Sequence, residues 1–537
     1  MDKRTFLAIV LSLIVILTWQ VFFAKKPPPK QPEPTQQETP VAGKPAVKET
    51  ARAQFTPSQT KTVLSQKVAA PEKDISIVTP LFTAIFTTKG GSLKSYKLKE
   101  YRTTLDSTSD LVELVNVMDG MQKPLSITFP ESNVDILPES IFTADSSALD
   151  LTQNQESKKL TFTQIYPNEI KVEKIFTFHP AKYAIDLEVR VHNLSKAAVS
   201  QTALLSWHQY VDPKAESDSY GHDGPISFIA KDVELYEVKK IDPGKLLGPD
   251  VAWAGYESKY FIASIIPQNP TLTSLSLSVD ARNMVSVNLK GPQNIIPPGQ
   301  VGLFSYSLYL GPKVHDILKT QEVGLENSID FGSWMKWLAM PLLISIKYLN
   351  DYVKNYGIAI LILTLIIKII FWPLGNKSYK SMKEMQKLQP KITELREKYK
   401  SDKTKLSQET MALYKTHKVN PLGGCLPMVI QIPVFFGLYK ALMYSIELRH
   451  APFYWWIQDL SAQDPYYITP IIMGGTMLIQ QKMTPGMGDP LQQKIMMLMP
   501  VFFTFLFLSF PSGLVLYWLF QNILSIGQQY YINKRPL

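Results

Sequence analysis

Cysteine is almost missing: Cys425 stands alone among 537 residues. No intrachain disulfide can form, so any exported part of the chain is held by core packing. No cysteine near the N-terminus is placed to carry a lipid. Histidine is scarce too, at seven residues. His208 and His222, with Asp212, Asp218 and Asp223 around them, suggest a metal, but they lack zinc-site spacing and share a polar stretch with Gly221 and Gly224. Gly90-Gly91 is followed by no Lys-Ser/Thr and helix, and no ATP-binding phosphate loop occurs elsewhere. Ser509 and Ser512 have no histidine near them, His417 and His450 fall in loops, and no apolar run holds paired aspartates. Those gaps exclude the usual intramembrane hydrolases. The chain is expected to be no enzyme and to need neither metal nor cofactor. Work on another molecule must then come from partners, the membrane potential or the partitioning of apolar helices.

What is present divides between two solvents. Mean hydropathy is −0.03, yet residues 25–330 are polar while 334–532 are dominated by Leu, Ile, Met, Phe, Trp and Tyr. The net charge of +10 could suggest nucleic acid, but the cations gather beside apolar blocks, where they report topology. No direct nucleic-acid substrate is expected. Phe6–Ala24 is apolar behind the basic Met1–Arg4. A cleaved signal peptide competes with an uncleaved anchor over 1–24. The anchor is favoured, because Phe22 would occupy the −3 position of a cut after Ala24, where a small residue is wanted. Residues 25–60, with Pro27, Pro28, Pro29, Pro32 and Pro34, form an extended tether.

Residues 61–330 alternate with period two in short runs, including Ile75–Val78, Phe82–Thr87, Leu93–Leu98, Ile170–Phe178, Ala184–Val191 and Leu272–Val279. Val, Ile, Thr, Phe and Tyr at such spacing predict antiparallel sheets packed face to face. Residues 331–350, with Trp334, Trp337 and Pro341, fit an amphipathic helix lying in the membrane interface; a full span is the alternative. Residues 351–533 hold five apolar segments: Tyr352–Trp372, Leu422–Tyr444, Tyr466–Met483, Ile495–Phe510 and Leu514–Tyr531. Each approaches the roughly 20 residues that cross a hydrocarbon core, the fourth being short. The fold class is thus a polytopic α-helical membrane protein with a five-helix core and a large exported antiparallel β-sandwich.

Between Pro373 and Asn420 lie twelve Lys/Arg against five Asp/Glu. That excess stays in the cytosol, which puts the sheet domain outside and both termini inside, including the basic tail 534–537. Within this loop, 377–418 predicts a helical hairpin whose first arm carries Met382, Met385, Leu388, Ile392 and Leu395 at three- and four-residue steps. A passive charged linker is the plain alternative. Methionine along the stripe favours a surface for varied apolar segments.

Lys368 stands inside the first core span, sharing a helical face with Thr364. An ionisable group there costs at least ~2.5 kcal/mol unless partnered. It lies four residues before Trp372, about 6 Å of helix rise, so snorkelling to the interface competes. Against that, Gln431 interrupts the second core span beside Pro427 and Pro433. Tyr517, Gln521, Ser525 and Gln528, with Asn522 alongside, form a polar stripe on the last. Together they predict a wet recess whose cation has no mid-span carboxylate beside it.

Asn420-Pro421-Leu422-Gly423-Gly424-Cys425, Gln431-Ile432-Pro433, Ser461-Ala462-Gln463-Asp464-Pro465-Tyr466-Tyr467 and Phe510-Pro511-Ser512-Gly513-Leu514-Val515-Leu516-Tyr517-Trp518 are specific enough to identify a family. The chain resembles the YidC membrane protein insertases of the Gram-negative type over nearly its whole length. The resemblance implies a bacterial inner-membrane protein with its sheet domain in the periplasm. Its partners would be nascent membrane proteins, the ribosome, the Sec translocon with its accessory subunits, and the phospholipid bilayer. It assigns the groove charge to Lys368, where arginine is usual, and groove lining to Thr364 and Tyr517. Substrate contact falls on the run around Gln431, Ile432, Pro433 and Phe435, and substrate reception on the charged hairpin. A small-solute or lipid transporter would instead show paired repeats and a coupling-ion site, and an envelope scaffold would depend on the sheet domain.

Overall fold

The computed structural model describes residues 71–534 apart from 134–138, 154–155, 215–220, 243, 333–334, 418, 420–425 and 485–489. The expected anchor 1–24 and tether 25–60, Asp218, Trp334, the Asn420–Cys425 motif and residues 535–537 of the tail lie outside the described residues. Residues 390–417 belong to a compact unit separate from 69–389 and 418–537.

Period two carries through to the sheets. Ten of the strands position everything below: β1 (Asp74–Val78), β2 (Phe82–Thr87), β3 (Lys158–Tyr166), β4 (Ile170–Phe178), β5 (Ala184–Asn193), β6 (Val199–Tyr210), β7 (Val251–Glu257), β8 (Phe261–Pro267), β9 (Met284–Ile296) and β10 (Val301–Pro312). A nine-stranded sheet runs through β7-β8-β10-β5-β4-β3, and five-stranded sheets are built on β1–β2 and on β9–β6. Burial alternates along β2 and β10, so one side of each strand feeds the core. Phe82, Phe86, Phe162, Phe176, Phe178, Trp207 and Trp253 are fully buried there. Each such side chain contributes about 1.5–3 kcal/mol, which replaces the missing disulfides. One pairing departs from the antiparallel expectation: β1 runs parallel to Ala148–Asp150.

The helices follow as α1 (Lys336–Val353), α2 (Tyr356–Ile370), α3 (Trp372–Lys387), α4 (Gln389–Lys398), α5 (Lys403–Thr416), α6 (Leu426–Tyr444), α7 (Ile468–Met483), α8 (Pro490–Phe507) and α9 (Ser512–Lys534). Left-handed Lys354 ends α1. The Asn355 side chain then starts α2 by accepting from the Ile358 amide at 3.0 Å. The sheet core continues into Ala339 and Leu343 of α1 and Ala441 of α6. A second apolar cluster joins α1, α2, α6, α7, α8 and α9 through Ile346, Ile360, Leu363, Leu438, Met473, Phe507 and Leu514. The opposite faces leave Ile369, Ile370, Ile471, Leu498, Val501 and Phe505 exposed, an apolar belt that water would not tolerate.

Among the described residues no single helix is long and apolar enough to cross a membrane. The pair α2 and α3 passes that test together, bent by 65°. Pro373 opens α3 without an amide donor, which permits the break.

In the separate unit, Asp402 caps α5 by accepting from the Lys405 amide at 2.9 Å. Lys391 and His417 meet at 3.4 Å, so α4 and α5 run antiparallel. The expected first arm, Lys377–Lys400, is broken at Leu388 and begins earlier, at Trp372.

Candidate functional site

The polar residues of α9 reach four neighbouring helices instead of sharing one open face. Nearest the start of α9, Tyr517 is almost wholly buried. Its hydroxyl meets the Gln431 amide of α6, and Gln521 donates to the Gln431 carbonyl oxygen at 3.0 Å. Further along, Ser525 accepts from the Lys368 ammonium of α2 at 2.8 Å. Gln528 then donates to the Trp372 carbonyl at 3.1 Å and to Asn376 at 2.9 Å, both on α3. Asn522 and Gln529 point another way, donating to Thr476 of α7 at 3.2 Å and to the Met483 carbonyl at 2.9 Å.

This spacing follows from helix geometry. Residues 517, 521, 525 and 528 recur every three or four positions and share a face. Residues 522 and 529 are seven apart and share a different one. The first face meets α6, then α2, then α3 as α9 descends. Polar groups packed between hydrocarbon-faced helices must find each other, because an unmatched one costs several kcal/mol.

Lys368 is 8% exposed and, among the described residues, has a hydroxyl but no carboxylate as partner. An ammonium with one neutral acceptor keeps two donors and its charge for another group. Thr364 lies on the same face, buried, with its hydroxyl given to the Ile360 carbonyl at 2.7 Å. It shapes the wall and offers no donor outward. Ile432 is exposed, while Phe435 turns inward and packs edge-on against Trp518 with ring centroids 4.7 Å apart. Pro433 lies inside α6 between them.

Beyond the bend at Phe371, Met382 packs with Tyr379 and Ile532. Met385 and Leu388 are buried as well, as is Ile392 in the separate unit, and Leu395 is half-buried. Met382 and Met385 therefore fill contacts within the protein and present little free apolar surface. Asn376, Gly375, Tyr379 and Thr476 escaped the sequence reading. The signal for the first two was the Gly-Asn pair just after Trp372-Pro373, since a glycine inside a helical pattern marks close packing.

In the sheet domain His208 is held between the Ser126 and Ser286 hydroxyls, each at 2.9 Å. His222 contacts Glu257 at 3.0 Å. Among the described residues no three of His, Cys, Asp or Glu come together as a metal site.

Two family descriptions tile the chain. "YidC periplasmic domain" matches residues 74–345 and "60Kd inner membrane protein" matches 348–536. A membrane protein insertase YidC of Syntrophus aciditrophicus is 63% identical across 100% of both chains. The chain belongs to the YidC family of membrane protein insertases. The Geobacter metallireducens YidC is 45% identical over 99% of this chain and 98% of its own. A solved YidC insertase structure with its first transmembrane domain resolved overlays 86% of this chain and 93% of its own, at 20% identity and a TM-score of 0.38. Residues 74–345 are thus a YidC periplasmic domain, and the protein acts on membrane proteins without catalytic chemistry.

Proposed function

We propose that this insertase admits an apolar segment of a nascent membrane protein between α6 and α9, while the segment's polar outer flank passes the face built from Thr364, Lys368, Gln431, Tyr517, Gln521 and Ser525. The observation that carries this reading is the Lys368 ammonium, buried among apolar helices with a serine hydroxyl for a partner. A charge held there lowers the cost of carrying a carboxylate or amide through hydrocarbon. Each CH₂ that leaves water returns roughly 0.8 kcal/mol, so about ten outweigh several kcal/mol of polar transfer.

In this reading the apolar segments of 351–533 are the five core spans, and α2 with its continuation into α3 is one of them. The basic 377–418 region faces the cytosol, receives chains from the ribosome, alone or beside the Sec translocon, and keeps both termini on that side. The exposed Ile432 is the first apolar contact, with Pro433 and Phe435 behind it. Photo-crosslinkers placed at Ile432 and at Tyr517 should both capture a ribosome-stalled nascent segment in membranes. Capture at Ile432 with none at Tyr517, across several stall lengths, would remove the polar face from the route.

A further inference from the structure

The polar residues beneath Lys368 do more than satisfy one another. Three of them fasten α3 to the end of α9. Gln528 grips both the Trp372 carbonyl and the Asn376 side chain, at 3.1 and 2.9 Å. It can lie this close because position 375 is glycine: a Cβ there would stand 2.8 Å from the Gln528 amide nitrogen. Ser525, which accepts from Lys368, also turns its hydroxyl to the Tyr379 oxygen of α3. Farther along, the Lys383 ammonium donates to the Asn533 carbonyl at 3.0 Å.

The apolar part of this attachment is small, Tyr379, Met382 and Ile532, against the broad cluster that joins the other helices. A junction made chiefly of exchangeable hydrogen bonds separates more readily than one made of buried hydrocarbon. The 65° bend before α3 supplies the pivot.

We infer that α3 is a latched cover at the cytosolic end of the groove, and that Gln528, seated on Gly375, is the positioning residue that sets whether Lys368 meets an entering segment. This rests on the groove reading above and adds its regulation. An incoming polar flank competes for the Gln528 and Ser525 hydrogen bonds. As it does so, α3 swings about Phe371 and the ammonium is uncovered from below. The cover then refastens once the segment has passed into lipid.

The test uses the full chain in proteoliposomes, with Cys425→Ser removing the native thiol and Lys368→Cys as reporter. Labelling by a membrane-impermeant maleimide from the cytosolic side should be about five- to tenfold faster when Gln528→Glu replaces the donating amide with an acceptor. Gly375→Ala, which displaces Gln528 without altering it, should give the same increase and guards against a folding defect in either variant. In a separate chain that retains Lys368, Asn376→Cys and Gln528→Cys joined by a short bis-methanethiosulfonate crosslinker, each thiolate displacing a sulfinate to form a reducible disulfide, should halt insertion of an acidic-flanked substrate, and reduction should restore it. Equal and rapid labelling with the contact intact or broken, or insertion unaffected by the crosslink, overturns the latch and leaves the groove standing. A reporter that stays unlabelled in every variant overturns both.

Discussion

Replacing Lys368 with methionine keeps most of the side-chain volume and removes the charge. In the resting protein that charge faces the Ser525 hydroxyl at 2.8 Å, with no carboxylate partner among the described residues. A substrate carboxylate about 4 Å away would feel about 4 kcal/mol of attraction at an effective dielectric near 20. Most of that is offset by stripping water from the carboxylate, and a charge-assisted hydrogen bond nets about 1.5–3 kcal/mol. Lys368→Met should therefore slow insertion of a substrate whose exported flank carries aspartate by roughly ten- to a hundredfold. The same substrate with asparagine in place of aspartate should change by less than about threefold, since a neutral amide loses one ordinary hydrogen bond. Lys368→Arg keeps the charge and should retain most of the rate, although its planar fork cannot reproduce the same Ser525 contact. Initial rates of protease protection in proteoliposomes, with matched flanks, measure all three. An equal slowing of both flanks by Lys368→Met would refute the electrostatic reasoning and leave only packing.

Other expectations concern the sheet domain and its joints. Lys313 and Glu257 pair at 2.6 Å, 5% and 3% exposed, so Lys313→Met should cost about 3–5 kcal/mol by stranding the carboxylate beside His222. Thermal melting should show that loss, and adding Glu257→Leu should recover much of it. Burial holds His208 down to about 4 and Lys174, with carbonyls of Gly90, Gly91 and Leu125 around its ammonium, down to about 7. In both cases the unfolded chain binds the proton more tightly, so stability rises with pH. The rise should span about pH 4 to 6.5 for His208 and about 7 to 10.5 for Lys174. His208→Gln should flatten the lower window in a pH series of melts while Lys174→Met flattens the upper one. Gly255→Ala would place a Cβ 1.9 Å from the Ala263 carbonyl oxygen on the neighbouring strand, so β7 and β8 cannot stay paired. Limited proteolysis should then cut the domain at temperatures where the native chain resists.

The exported domain was legible because a strand buried on one face writes its register into every second residue. Phe82–Thr87 and Ile170–Phe178 coincide with β2 and β4 for that reason. The parallel partner of β1 was not legible, since Ala148–Asp150 is three residues long, too short to show a period. On α9 the period of the polar residues was plain, but their partners depended on where four other helices meet it. No local pattern records a crossing. Nor does a stripe of methionines state whether its partner is a visiting segment or the same chain. Met382 found Ile532, 150 positions away, and only the bend after Phe371 brings them together.

That bend also explains why the charge and the breaker stand so close in sequence. Lys368 needs a helix to place it beside Ser525, and Pro373 ends that helix within five residues. Were α2 to run on straight, Asn376 and Tyr379 would continue along its axis and away from the residues of α9 they now hold. Gln528 would then have no carbonyl at Trp372 within reach, and the underside of Lys368 would stand open. Pro373→Ala restores the missing amide donor and should favour the straight form, by at most about 3 kcal/mol. If the bend is what closes the site, that variant should behave like Gly375→Ala in cytosolic labelling of position 368 while leaving the melting of the sheet domain unchanged. Labelling no faster than in the native background would mean that α3 is held by its contacts with α9 alone, and that proline merely tolerates the turn.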